Sequence, residues 1–205
     1  MATRSRHKLR ELWELLPATL DLDLLDLAAA GVEPDPGEED LEAFATFQEN
    51  ALAKARYFSS RSRRAVLADD SGLAVDALGG RPGVHSKRFS GRTDLGGLEL
   101  DLANNQHLLA ALADTRPEDR TAHYVCAIAV VTPGGREDVF RGTVHGKILE
   151  RPHGEGGFGY DPLFFVPGLH ATFAQVTPAE KNRISHRARA LQAASPRLHE
   201  LAAAR

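Results

Sequence analysis

Two adjacent carboxylates, Asp69 and Asp70, lie in the stretch Leu67-Ala68-Asp69-Asp70-Ser71-Gly72-Leu73. Hard cations such as Mg²⁺ are held by one or two carboxylates together with substrate phosphates, so the pair suits metal-assisted phosphate chemistry. Successive side chains of a strand point to opposite faces, and burying both carboxylates is costly. The pair is therefore expected at a strand end, where Ser71 and Gly72 turn the chain and at least one carboxylate projects into a cleft. The same letters also make an ordinary turn, since Asp, Ser and Gly all favour one. Glu42, four residues before the helix cap Thr46, could reach toward a metal; it is also one acid among many in its neighbourhood.

Three other stretches carry candidate chemistry. Ala2–Lys8 gathers Arg4, Arg6, His7 and Lys8 ahead of a helix whose apolar spacing (Leu9, Leu12, Trp13, Leu16) starts near Leu9. A basic, hydroxyl-bearing loop before a helix N-terminus can cradle phosphate, and it can equally be a solvated terminus. Gly154-Glu155-Gly156-Gly157-Phe158-Gly159 fits G-x-G-x-x-G, but Tyr160-Asp161-Pro162 and the strand-like Leu163–Val166 follow it instead of a helix. A dinucleotide fingerprint is thereby excluded. What remains is a glycine loop with Phe158, Tyr160 and Asp161, able to offer a stacking face to a base. Lastly, Lys181, Arg183, Ser185, His186, Arg187 and Arg189 line one helical run, with Lys181, Ser185 and Arg189 on one face. Such cations can clamp phosphates or donate to a base edge, or form a solvated face.

Elements that must position these groups can be read from capping and periodicity. Thr46-Phe47-Gln48-Glu49 is a capping box opening a helix over Phe47–Ser60, with Phe47, Leu52 (or Ala51), Ala55 and Phe58 as its apolar stripe and Lys54 off it. Thr177-Pro178-Ala179-Glu180 is a second box, and its helix is expected to end before Pro196 with Ile184, Ala188 and Leu191 inward. Leu98, Leu102, Leu109 and Leu112 predict an amphipathic helix over Leu95–Ala113 that places Asn104–His107 on its outer face or in a partner contact. Thr121–Thr132 and Arg136–Leu149 flank Pro133-Gly134-Gly135 and predict a long hairpin.

The 205 residues, 42% hydrophobic and 26% charged, fit one soluble globular domain or two small lobes sharing a cleft. A net charge of −3 gives no field that advertises nucleic acid or an anionic membrane as partner. Cys126, the single cysteine, falls in an apolar run and reads as a small core residue. With no long apolar run and no leader-like start, the chain reads as cytoplasmic.

Taken together, Thr46-Phe47-x-Glu49-Asn50-Ala51 with Lys54-Ala55-Arg56, Leu67–Val84, Gly156–Pro162 and Glu180–Arg187 resemble the inosine/xanthosine triphosphate pyrophosphatase (ITPase) family in order and spacing over nearly the whole chain. The resemblance implies an α/β fold with an elongated, curved mixed sheet flanked by helices, two lobes around a central cleft, spanning 1–205 as a single domain. It implies Mg²⁺-dependent hydrolysis of ITP, dITP and XTP to the monophosphate and pyrophosphate, cleansing the nucleotide pool, by a homodimer. By motif, Asp70 is the expected general base and a metal ligand, with Asp69 and Glu42 at the same metal. Thr3, Arg4, Ser5, Arg6, His7 and Lys8 are the expected triphosphate loop, with Lys54 and Ser71 also touching substrate. Phe158, Gly159, Tyr160 and Asp161 would bound the base pocket, and Lys181, His186 and Arg187 would read or position the 6-oxo group. The chain departs from the family at its start, where Met1-Ala2 replaces a hydrophobic strand and Thr3-Arg4-Ser5 replaces Thr-Gly-Asn. A truncated or misassigned start, or a sheet one strand shorter at that point, is expected. A broader nucleotide pyrophosphatase and a nucleotide-binding protein are the alternatives; the three carboxylates favour an enzyme.

Overall fold

The computed structural model describes residues 1–16 and 20–204. Ser5 caps the first helix, α1 (Arg6–Leu15), its Oγ accepting the Lys8 N–H. Helix α2 (Phe47–Ser62) starts at Thr46 as expected: its hydroxyl accepts the Glu49 N–H and donates to the Glu49 carboxylate. Strand β1 (Val66–Val75) follows, then α3 (Gly97–Ala111). Strands β2 (Thr121–Val131) and β3 (Glu137–Ile148) form the predicted hairpin, closed where the Thr132 N–H meets the Arg136 carbonyl. Short strands β4 (Phe164–Val166) and β5 (Ala171–Thr172) precede α4 (Pro178–Ile184) and α5 (His186–Ala203).

The strands form one sheet in the order β1-β2-β3-β4-β5. Lys147 faces Phe165 and Phe165 faces Thr172 in antiparallel register. The short β2–β3 and β4–β5 connections favour that direction, where the family resemblance implied a mixed sheet. The α/β class holds. Near the chain start the Ala2 N–H donates to the Leu67 carbonyl (2.8 Å).

The chain divides into two compact units. The first comprises Met1–Asp70, Cys126–Gly142 and Ser185–Arg205, the second Ser71–Val125 and Thr143–Ile184. In the first unit both faces of the sheet are covered. Val66 and Ala68 of β1, with Ala127, Ala129 and Val131 of β2, pack against Ala51, Ala55 and Phe58 of α2. Leu67, Cys126, Ile128 and Val130 point the other way, against Leu12 of α1 and Ala190, Leu191, Ala194 and Leu198 of α5. Gly142 lies so close to α5 that a Cβ there would run into the backbone of His186 and Ala190. In the second unit one sheet face buries Leu73, Tyr124, Val144 and Phe164 under Leu108 and Leu112. On the other face His123 and His145 lie toward solvent, as antiparallel sheets permit.

Three expectations are corrected. Strand β1 does not end at Asp70 but runs on through Ser71 and Gly72 to Val75, because each carboxylate finds cations on its own face. On α3 the expectation holds in part: Leu112 is buried, Leu109 packs on the core and Gln106 and His107 are exposed. But Leu98 and Leu102 are 73% and 52% exposed while Asn104 and Asn105 are buried, since loops packed there present backbone groups that need polar partners. The last helical run breaks at Ser185, not before Pro196. Ser185 is extended (φ −61°, ψ 158°) and its Oγ caps α5 at the Ala188 N–H, while Pro196 sits inside α5. Among the described residues no helix is long and apolar enough to cross a membrane.

Candidate active site

Strand alternation decides what each carboxylate meets in the first unit. Asp70 shares the parity of Val66 and Ala68 and faces α2; Asp69 shares that of Leu67 and faces α1 and α5. On the α2 side, Asn50 donates to Asp70 Oδ2 at 2.9 Å, and the Lys54 ammonium lies 3.5 Å from Asp70 Oδ1 and 2.8 Å from Glu42 Oε1. Lys54 also donates to the Asp69 carbonyl (2.6 Å). On the other side, the Arg187 guanidinium grips Asp69 Oδ2 through Nε (3.2 Å) and Nη2 (2.9 Å) and pairs with Glu11 through Nη1. Lys8 Nζ stands 3.4 Å from the same Asp69 oxygen.

The two neighbours are driven in opposite directions. Burial pushes the Asp70 carboxyl above the ordinary carboxylate range, against the pull of Lys54 and Lys8. For Asp69 burial acts the same way, but Lys8, Arg187 and Lys54 outweigh it and hold the carboxyl well below that range. Lys54 is likewise opposed by burial, yet Asp70, Glu42 and Asp69 keep its ammonium charged. A fixed anion thus sits next to a carboxylate poised to take a proton, an arrangement suited to acid–base work.

Among the described residues no group of three His, Cys, Asp or Glu side chains is close enough to hold a metal. Glu42 and Asp70 nevertheless bracket one cationic point, the Lys54 ammonium, with carboxylate oxygens. Two such oxygens are what Mg²⁺ takes from a protein when phosphates complete its shell, so these residues fit that ion. Asp69 faces Arg187 and Lys8 instead, and in this arrangement it is their counter-ion.

The second unit carries its own polar cluster, centred on Asp161. Its Oδ2 accepts from Lys181 Nζ (2.6 Å) and from the Phe158 N–H (3.0 Å). Tyr124 Oη reaches Oδ1 at 3.4 Å, and burial pushes that phenol well above its usual pKa. The Lys181 ammonium lies 4.7 Å from the centre of the half-buried Phe158 ring. Gly159 has φ +62°, a left-handed conformation that favours glycine, and Tyr160 donates to the Ser86 carbonyl (2.7 Å). An aromatic ring of this loop thus stands beside a buried ammonium supplied by α4.

Other expected residues fall differently. Thr3 accepts the Ser5 N–H, Ser5 caps α1, and Arg6 and His7 are exposed. Arg4 does not face this site: Glu38 holds it at 2.7 and 3.1 Å and the Val32 carbonyl takes a third bond. Arg187 is 0% exposed and pairs with Asp69 and Glu11. His186 and Lys181 are buried, and Ser71 is partly so. Lys54, expected off the apolar stripe, is buried too, drawn in by three acidic neighbours. Asn50 and Glu11 were missed; the spacing of Asn50 four residues before Lys54 put both on one helix face.

An α/β chain with hard-oxygen donors, buried ammonium groups and an aromatic loop has the parts of a nucleotide-handling enzyme. The chain belongs to the Ham1 family, whose model matches residues 1–197. It is 48% identical over 202 residues to the dITP/XTP pyrophosphatase of Frankia alni, covering 98% of this chain and 96% of that one. With the dITP/XTP pyrophosphatase of Geobacter sulfurreducens it shares 47% over 191 residues, 93% and 91% of the two chains. Among solved structures it matches a HAM1 protein from Coxiella burnetii with TM-score 0.83 and 36% identity, covering 97% and 96%. It also matches a nucleoside-triphosphatase (dITP/XTP pyrophosphatase) from Mycobacterium abscessus with TM-score 0.72 and 45% identity, covering 95% and 97%.

Proposed function

We propose that the protein hydrolyses deaminated purine nucleoside triphosphates (dITP, ITP and XTP) to the monophosphate and pyrophosphate, with Mg²⁺, and so cleanses the nucleotide pool. It is a nucleoside triphosphate pyrophosphatase, and the observation that carries the reading is the split environment of Asp69 and Asp70. Glu42 and Asp70 would hold Mg²⁺, which when bound supplies charge neutralisation on the phosphate oxygens. Asp70, its proton affinity raised by burial and its Oδ2 fixed by Asn50, orients and deprotonates the attacking water. Lys54 keeps that carboxylate ionised until it does so. Lys8, on the first turn of α1, binds phosphate with the helix N–H groups.

On the base side, Phe158 offers its ring for stacking while Asp161 holds Lys181 beside it. A donor such as Lys181 or His186 favours a 6-oxo group, because opposite the amino group of adenine it would go unpaired. That mismatch costs about 1–3 kcal/mol, roughly 5- to 150-fold in selectivity. The family resemblance further supports a cytoplasmic homodimer. Chromatography of a dITP digest tests the reaction: dIMP and pyrophosphate in equal amounts are expected, whereas dIDP and phosphate would overturn it.

A further inference from the structure

We infer that Asp101 and Asn105 of α3 are positioning residues for base selection, acting through the Gly159 peptide. The inference rests on the proposed assignment of the Phe158–Asp161 loop to the purine. Asp101 Oδ2 accepts the Gly159 N–H at 2.8 Å, and Asn105 Nδ2 donates to the Gly159 carbonyl at 3.0 Å. The two side chains are one helical turn apart, on the same face of α3. One residue of the glycine loop is therefore clamped at both of its backbone polar groups by a rigid helix. That residue is the one whose left-handed φ of +62° sets where Phe158 stands relative to Tyr160 and Asp161.

Stability alone does not account for Asn105. The residue is 8% exposed, and its Oδ1 is buried with no hydrogen-bond partner among the described residues. A buried acceptor left unsatisfied is unfavourable, so this amide is retained for what its N–H₂ holds. The orientation is fixed chemically, because the flipped amide would set oxygen against the Gly159 carbonyl oxygen. Neighbouring Asn104 shows what a purely structural asparagine on this helix does: its Oδ1 accepts the Ser90 N–H (2.8 Å) and its Nδ2 donates to the Lys87 carbonyl (3.1 Å), both ends satisfied. A loop held in one geometry binds a flat base without first having to order itself, and it rejects bases that need a shifted ring.

Isosteric variants keep the experiment interpretable. Asn105→Asp presents oxygen in place of the donor, Asp101→Ala removes the acceptor, and Asp101→Asn retains an oxygen for the Gly159 N–H. Steady-state pyrophosphate release from dITP and dATP is measured for each, with circular dichroism melts. For Asn105→Asp and Asp101→Ala, KM for dITP is expected to rise about tenfold and the dITP:dATP ratio of kcat/KM to fall about tenfold, with kcat within about threefold of wild type. Asp101→Asn should recover most of the ratio. A ratio within twofold of wild type in both disruptive variants would overturn the inference, as would loss of kcat at unchanged KM and ratio. Unfolding of the isosteric Asn105→Asp would also overturn it, since the clamp would then hold the fold and not the loop. If instead wild type shows no preference for dITP, the proposed function fails first, and the two failures are told apart.

Discussion

Arg187→Met removes a fully buried guanidinium and leaves Asp69, also 0% exposed, facing apolar neighbours and Lys8. Breaking a buried pair by deleting one partner costs about 3–5 kcal/mol, because the surviving charge stays desolvated. Lys8 Nζ at 3.4 Å compensates part of that charge, which puts the expected loss near about 3 kcal/mol. For a chain of this size each kcal/mol is worth about 2–4 °C, so the midpoint should fall by roughly 6–12 °C. Acid dependence gives a second reading. The folded Asp69 pKa lies below its unfolded value, so its contribution is present above pH ~4 and lost as pH falls below that. Wild type should therefore lose stability steeply below pH 4, and Arg187→Met less steeply. Adding Asp69→Leu to Arg187→Met should restore much of the loss. Thermal and urea melts at pH 7 and pH 3.5 measure all three proteins; a single variant within about 1 kcal/mol of wild type at pH 7 would refute the reasoning.

Asp70→Asn should melt at or above the wild-type temperature while losing activity, because burial opposes the charge that is removed; a lower midpoint would contradict this. Cys126 is wholly buried and its thiol is pushed up to about 12, chiefly by that burial, so native protein at pH 8 should resist iodoacetamide and react only after denaturation. Gly142→Ala should lower stability by about 1–3 kcal/mol in a urea titration, since the added methyl meets α5 backbone.

Capping residues carried the helix starts into the sequence legibly: Thr46, and Thr177 with Glu180 receiving and returning its bonds, open helices where expected. The hairpin turn at Pro133-Gly134-Gly135 was equally local. The course of β1 was not. Asp-Ser-Gly favours a turn, and only cations from distant parts of the chain, Arg187 standing 118 residues from Asp69, make a straight strand affordable through two buried carboxylates. The apolar letters on both parities of Ala65–Ala68 were the available sign that this strand is covered on both faces. On α3, leucine spacing placed Leu109 and Leu112 correctly but not Leu98, Leu102 or the buried asparagines, which serve loop backbones, a need invisible until the loops are placed. Arg4 and Arg187 read as ligand-binding cations by position in a motif; their pairing with Glu38 and Glu11 is a contact that spacing does not encode.

Pyrophosphate release from dITP and dATP, with Mg²⁺ or with EDTA, by wild type and Asp70→Asn, tests the central claim most directly. Rapid release from dITP that requires Mg²⁺ and falls at least about a hundredfold in the variant is the predicted result. Equal rates on dITP and dATP, or an Asp70→Asn enzyme that keeps wild-type turnover, would contradict it.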